Sequence, residues 1–126
     1  MKTIISTSNA PGAIGPYSQA VKVNGMLFTS GQIAIDPSTG ELNLSDIPTE
    51  TKLVMSNLKA VLNEAGMDFK NVVKTSIFLS SMDDFVTVNE VYASYFESDP
   101  PARETVQVAK LPKGVNVEIS MIAVED

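Results

Sequence analysis

A chain of 126 residues, 44% hydrophobic and 19% charged, is long enough to bury one sizeable core and too short for two. Cysteine and histidine are both absent, which excludes a disulfide framework, a thiolate nucleophile, sulfur-bound zinc, the Ser-His and Cys-His pairs and the HExxH zinc helix. Nine Lys plus Arg against fifteen Asp plus Glu give a formal charge of −6, a poor match to a phosphate polyanion, so no nucleic-acid partner is expected.

No apolar run approaches the roughly 20 residues that span a bilayer, and MKTIISTSNAPG lacks the long apolar stretch of a signal peptide. No membrane partner is expected, and the expected address is the cytoplasm. Residues 1–126 are expected to form a single domain.

After a short apolar start at Ile4 and Ile5, NAPGAIGP (Asn9 to Pro16) has two Gly and two Pro in eight residues and reads as a loop. Tyr17 to Val23 alternates and Met26 to Ser30 is apolar, with Asn24-Gly25 between them as a two-residue hairpin turn. In that register Val23 faces Met26, Gln19 faces Ser30 and Tyr17 faces Gln32. Tyr17 and Ser30 then share a face as diagonal neighbours. DPSTG (Asp36 to Gly40) is a turn, and a calcium loop starting there would put its twelfth ligand on Ile47, which cannot ligate.

From Pro48 to Ala65, apolar residues at Leu53, Val54, Leu58, Val61, Leu62 and Ala65 recur at helical spacing, leaving Glu50, Lys52, Lys59 and Glu64 for the wet side. Asp46 suits the cap, Pro48 the first turn and Gly66 the end. NVVKTSIFLS (Asn71 to Ser80) is β-branched and aromatic enough for a central strand. Asp83-Asp84 then opens a second amphipathic helix through Phe85, Val88, Tyr92, Tyr95 and Phe96, which ends before Pro100-Pro101. Glu104 to Ala109 and Val115 to Val124 are the last strands, divided by the turn LPKG. The order β-β-α-β-α-β-β predicts an α+β fold with both helices on one face of the sheet. The bare apolar face predicts self-association.

Two charges stand out in the apolar strands. Arg103 follows the Pro-Pro break, and its planar fork suits a carboxylate; an acidic partner elsewhere in the chain is the alternative use. Thr105 shares its face. Glu118 is flanked by Val115, Val117, Ile119 and Met121, and a partly desolvated carboxylate there has its pKa raised toward acid-base use; a glutamate pointing to water at an edge or interface is the alternative. Asn89 on the second helix is polar; spacing alone favours a solvated position, with a site-facing one as the alternative.

Four segments in order, NAPGAIGPYSQAV (Asn9 to Val21), TSGQI (Thr29 to Ile33), PPARETVQVAKLP (Pro100 to Pro112) and VEISMIAV (Val117 to Val124), strongly resemble the Rid family of reactive-intermediate deaminases, also called the YjgF family. The resemblance runs essentially end to end. It implies a chorismate-mutase-like α+β sheet, a homotrimer with clefts between subunits, and no metal or organic cofactor. It further implies a hydrolase acting on C=N bonds, which deaminates enamines and imines of the 2-aminoacrylate, 2-iminobutanoate and 2-iminopropanoate type to 2-keto acids and ammonia. By position, Arg103 is similar to the family's substrate-carboxylate arginine and Glu118 to the glutamate that handles the attacking water. Tyr17, Ser30, Gly31, Asn89 and Thr105 match positions that line the cleft, with Tyr17 beside the catalytic pair. The place of Thr105 is a cysteine in some members, so a thiol is not required here.

Two other readings use the same residues. One is a non-catalytic protein that binds or senses 2-keto acids through Arg103. The other is a ribonuclease or translation inhibitor, against which the negative charge and the lack of histidine argue.

Overall fold

The computed structural model describes residues 1–126 and builds them into a six-stranded sheet of order β1-β2-β3-β6-β4-β5. β1 (Thr3–Ile5) is an addition to the expected strands, since three residues are too few to show a period. β2 (Ala20–Val23) and β3 (Met26–Thr29) pair antiparallel with Val23 opposite Met26, as the hairpin predicts. Asn24 and Gly25 sit at φ 52° and 76°, the two positive values a two-residue hairpin turn of the primed type requires.

α1 (Ile47–Glu64) starts where the Asp46 carboxylate accepts from the Thr49 N–H at 2.7 Å, and Gly66 turns the chain away at φ 77°. β4 (Val72–Leu79) enters the sheet between β6 and β5. α2 (Phe85–Ala93) follows a 3₁₀ turn over Met82–Asp84 that is capped by the Ser81 hydroxyl; Asp84 is the N-cap residue of α2, as expected, but its side chain makes no capping hydrogen bond. The crossover through α2 lays β5 (Ala102–Gln107) parallel to β4, the only parallel pair in the sheet. The chain then returns through a turn at Pro112–Gly114 to β6 (Val117–Val124), which inserts between β3 and β4.

Both helices cover one face. Val54, Met55, Leu58, Val61 and Leu62 of α1 are fully buried against Val117, Ile119, Met121 and Ala123 of β6 and Ile77 and Leu79 of β4. Each such side chain contributes about 1.5–3 kcal/mol of burial.

Glu50 departs from expectation, because it is fully buried although helical spacing assigned it to water. Its carboxylate accepts from Asn116 N–H and Asn116 Nδ2 at 2.8 Å each and from Val117 N–H at 3.0 Å, which satisfies the otherwise orphaned start of β6. The opposite sheet face has no cover from the chain. Ile4, Val21, Phe28 and Ile122 lie in register across β1, β2, β3 and β6, and Ile4 is 51% and Phe28 40% exposed.

Candidate active site

The register of β4 decides where the two singled-out charges point. Arg103 lies opposite Thr75, whose side chain is fully buried on the helix face, whereas Glu118 lies opposite Phe78, three residues further along β4. Because side chains alternate with period 2, an odd offset puts Arg103 and Glu118 on opposite faces of the sheet. Two strand spacings and three residues of rise separate their Cα atoms by about 14 Å, with the side chains diverging.

On the helix face, the Arg103 guanidinium donates from Nη1 to Asn89 Oδ1 at 2.6 Å. Asn89 is therefore engaged, contrary to its reading as a solvated helix position. The Arg103 Cζ also stands 5.2 Å from the Tyr92 ring centroid and 5.7 Å from that of Phe85. The chain's ion pairs join Lys22 to Glu125, Lys70 to Asp126 and Lys74 to Glu104, so the arginine has no acidic partner. That removes the alternative of a simple internal salt bridge. Arg103 and Asn89 line a recess of about 450 Å³ with Tyr92, Ala93, Phe96, Pro100 and Pro101. Thr105, on the same face opposite Ile77, has a buried hydroxyl oxygen without a hydrogen-bond partner. Such orphans are rare in folded proteins.

On the bare face, Glu118 is half-buried beside a groove of about 390 Å³ that Tyr17, Gly31, Gln32, Ile33 and Lys113 also line. Burial raises its carboxyl pKa above the ordinary 4.5, with no cation or hydrogen bond to offset the desolvation. Gly31 is what allows the close approach: a Cβ there would lie 2.7 Å from Glu118 Oε2, 2.8 Å from Cδ and 2.9 Å from Cγ.

The predicted residues thus fall into two groups, Arg103, Asn89 and Thr105 on one face, and Glu118, Tyr17 and Gly31 on the other. Ser30 has a different task from the one expected. Its hydroxyl donates to the Ser18 carbonyl at 2.6 Å, which ties the end of β3 to the segment carrying Tyr17. Its backbone N–H donates to Gln19 O at 2.9 Å, as the hairpin register predicts. Tyr17 does not face Gln32, however, because β2 begins only at Ala20 and Gln32 bridges to Ile119 of β6. The cause is Gln19, whose buried amide bonds the backbone at Thr7, Ala10 and Pro11 and draws the chain into the loop.

Sequence reading missed Tyr92 as a partner of Arg103 and Lys113 as part of the Glu118 groove. Tyr92 carried a signal, since it lies three residues after Asn89 on one helix face. Lys113 carried none beyond its turn, where it sits at φ 55°.

The chain matches the model of the family described as endoribonuclease L-PSP over residues 7–125. A human protein named 2-iminobutanoate/2-iminopropanoate deaminase is 50% identical over 125 residues, which cover 99% of this chain and 91% of that protein. Among solved structures, one from Thermotoga maritima is 53% identical with a TM-score of 0.97, covering 100% of this chain and 99% of its own. The structure of Escherichia coli TdcF with bound serine is 44% identical with a TM-score of 0.94, covering 98% and 99% respectively. With a matching family model over nearly its whole length and relatives at half identity, the chain belongs to the endoribonuclease L-PSP family, the group its Rid-like motifs indicate.

Proposed function

We propose that the protein hydrolyses the imines and enamines of small 2-amino acids to 2-keto acids and ammonia, at a site completed by two copies of the chain. The observation that carries the reading is a pair of uncommitted charges, an arginine with no acid beside it and a half-buried carboxylate with no partner, on opposite sheet faces. The deaminase name of the human relative and the serine bound to the Escherichia coli relative both support a small ligand bearing a carboxylate.

The chemistry follows from the groups. An enamine such as 2-aminoacrylate first tautomerises to the imine. Arg103 binds the carboxylate with the donors Asn89 leaves free and so fixes the imine carbon. Glu118 of a second copy takes a proton from water as its oxygen adds to that carbon. The carboxyl passes that proton to the imine nitrogen, giving a carbinolamine; it then takes the carbinolamine hydroxyl proton and delivers it to the same nitrogen, so that the C–N bond breaks, ammonia leaves and the carbonyl forms. Tyr17 and the backbone N–H at Gly31 orient water or substrate, and Thr105 offers its unpaired hydroxyl.

No small imino acid bridges 14 Å, so a neighbouring copy supplies the missing half. The bare face around Ile4, Val21, Phe28 and Ile122 gives that neighbour an apolar surface to cover. Three copies around one axis, as the Rid resemblance implies, put one composite site at each of three equivalent interfaces.

Subunit mixing tests both claims. Arg103→Ala and Glu118→Gln are each expected to be inactive on imines generated in situ by an amino-acid oxidase. After exchange at equal amounts, about a quarter of the interfaces hold an intact arginine facing an intact glutamate, and activity returns to about that fraction. No recovery despite proven exchange would place both residues' work in one chain, and full activity of either single variant would remove that residue from the mechanism. Saturable 2-keto-acid binding with no acceleration of imine loss would favour the sensor reading instead. The family description favours the nuclease reading, and RNA cleavage abolished by the same two substitutions would restore it.

A further inference from the structure

An arginine that binds a substrate carboxylate has to be held still without being neutralised. Arg103 has no acid beside it, and Asn89 engages one of its N–H groups at 2.6 Å. The rest of its fixation comes from aromatic faces. Phe85, Asn89 and Tyr92 follow one another at i, i+4 and i+7 on α2, so one stripe of the helix faces the guanidinium. The Cζ lies 5.2 Å from the Tyr92 centroid and 5.7 Å from that of Phe85, both within cation–π reach.

Tyr92 is in turn pinned at its far end. Its hydroxyl and Thr75 Oγ1 share a buried hydrogen bond of 2.8 Å, and Thr75 is the residue opposite Arg103 in the β4–β5 ladder. The frame therefore closes on itself, from the Arg103 backbone across the ladder to Thr75, through the tyrosine ring, and back to the guanidinium. Burial pushes the Tyr92 hydroxyl pKa up, with the Thr75 bond and the Arg103 charge acting against it. The ring therefore stays neutral at working pH.

We propose that Tyr92, locked by Thr75 and seconded by Phe85, is the positioning residue of the carboxylate-binding arginine. The ring quadrupole attracts the cation yet occupies none of its N–H donors, so the fork stays charged and free for a carboxylate. A glutamate in the same place would hold the arginine and block it. This inference rests on the reading of Arg103 as the anchor.

The test uses 2-oxobutanoate as a competitive inhibitor of the assembled enzyme, with thermal midpoints measured alongside. Tyr92→Leu removes the ring and is expected to raise the inhibition constant and KM by about five- to tenfold, with a smaller change in kcat. Tyr92→Phe keeps the ring and recovers most of that affinity. It still lowers the midpoint, because the buried Thr75 hydroxyl loses its partner. Should Tyr92→Leu fail to fold, Phe85→Leu at a half-buried position makes the same test, with a rise of about threefold and little change in midpoint.

A lowered midpoint with an unchanged inhibition constant in Tyr92→Leu, or an unchanged constant in a folded Phe85→Leu, would overturn the proposal while leaving the anchor reading intact. Unchanged inhibition in Arg103→Ala would overturn the anchor reading and this inference with it.

Discussion

Replacing Gly31 with alanine places one methyl group against Glu118, the carboxylate proposed to activate water. The added Cβ would stand 2.7, 2.8 and 2.9 Å from Oε2, Cδ and Cγ of Glu118. Ordinary contact between such atoms begins near 3.5 Å, so the carboxylate has to retreat by about 0.6–0.8 Å. Gly31 lies outside the left-handed region, so alanine keeps the backbone path and the displacement falls on the rotatable glutamate side chain. The fold loses little, because Glu118 is half-buried and has a groove to swing into. Catalysis loses more, since a misplacement of about 1 Å costs on the order of a hundredfold. The expected result is a kcat lower by about that factor on oxidase-generated imine, with a far smaller change in 2-oxobutanoate binding. The rate profile supplies a second reading. Burial raises the Glu118 pKa, and a base works deprotonated, so wild-type activity rises with pH through that raised value. In Gly31→Ala the carboxylate regains water, and the acidic limb moves to lower pH. A variant with the wild-type rate and an unmoved limb would refute the reasoning.

Other substitutions separate stability from chemistry. A carboxyl whose folded pKa is raised favours the folded state at low pH, and that contribution is lost as pH climbs from the ordinary 4.5 through the raised value. Glu118→Gln is therefore expected to flatten the fall in thermal midpoint across this window, and a slope equal to wild type counts against a desolvated glutamate. Glu50→Ala strips the acceptor from the N–H groups of Asn116 and Val117, for a loss of roughly 2–5 kcal/mol in urea unfolding at fixed protein concentration. A loss below 1 kcal/mol would mean that water replaces the carboxylate there. Phe28→Asp puts a charge on the bare apolar face and is expected to dissociate the assembly in light scattering and abolish turnover together. Intact assembly in that variant would move the interface elsewhere.

What the sequence made legible was local, and what it hid was long-range. Asn24-Gly25 specifies its turn by φ alone, and Asp46, Pro48 and Gly66 bracket α1 through contacts within a few residues. Arg103 and Glu118 were visible as charges among apolar neighbours, since desolvating a charge without purpose is costly. Glu50 was misread because the demand it meets arises 66 residues away, at the N–H of Asn116. Tyr17 was misplaced because the hairpin pattern continues past the point where the Gln19 side chain diverts the backbone. The insertion of β6 between β3 and β4 leaves no local mark, and neither does the parallel placement of β5. Without them the faces of Arg103 and Glu118 cannot be assigned.

That assignment carries the functional consequence. β4 pairs with β5 on one side and β6 on the other, so its register fixes the arginine and the glutamate relative to each other. Shifting either ladder by one residue would bring both charges to a single face of one chain. The observed odd offset between Thr75 and Phe78 keeps them apart, the arginine charged and free beside α2 and the carboxylate desolvated on the bare face. Under the proposed mechanism, a cation and an anion that must both stay uncommitted until substrate arrives are most simply kept so by the sheet itself. The cost is that neither is useful alone. In the composite site proposed above, the apolar surface that a lone copy leaves bare is also what brings a neighbour's glutamate to the arginine, so that one register sets both assembly and catalysis.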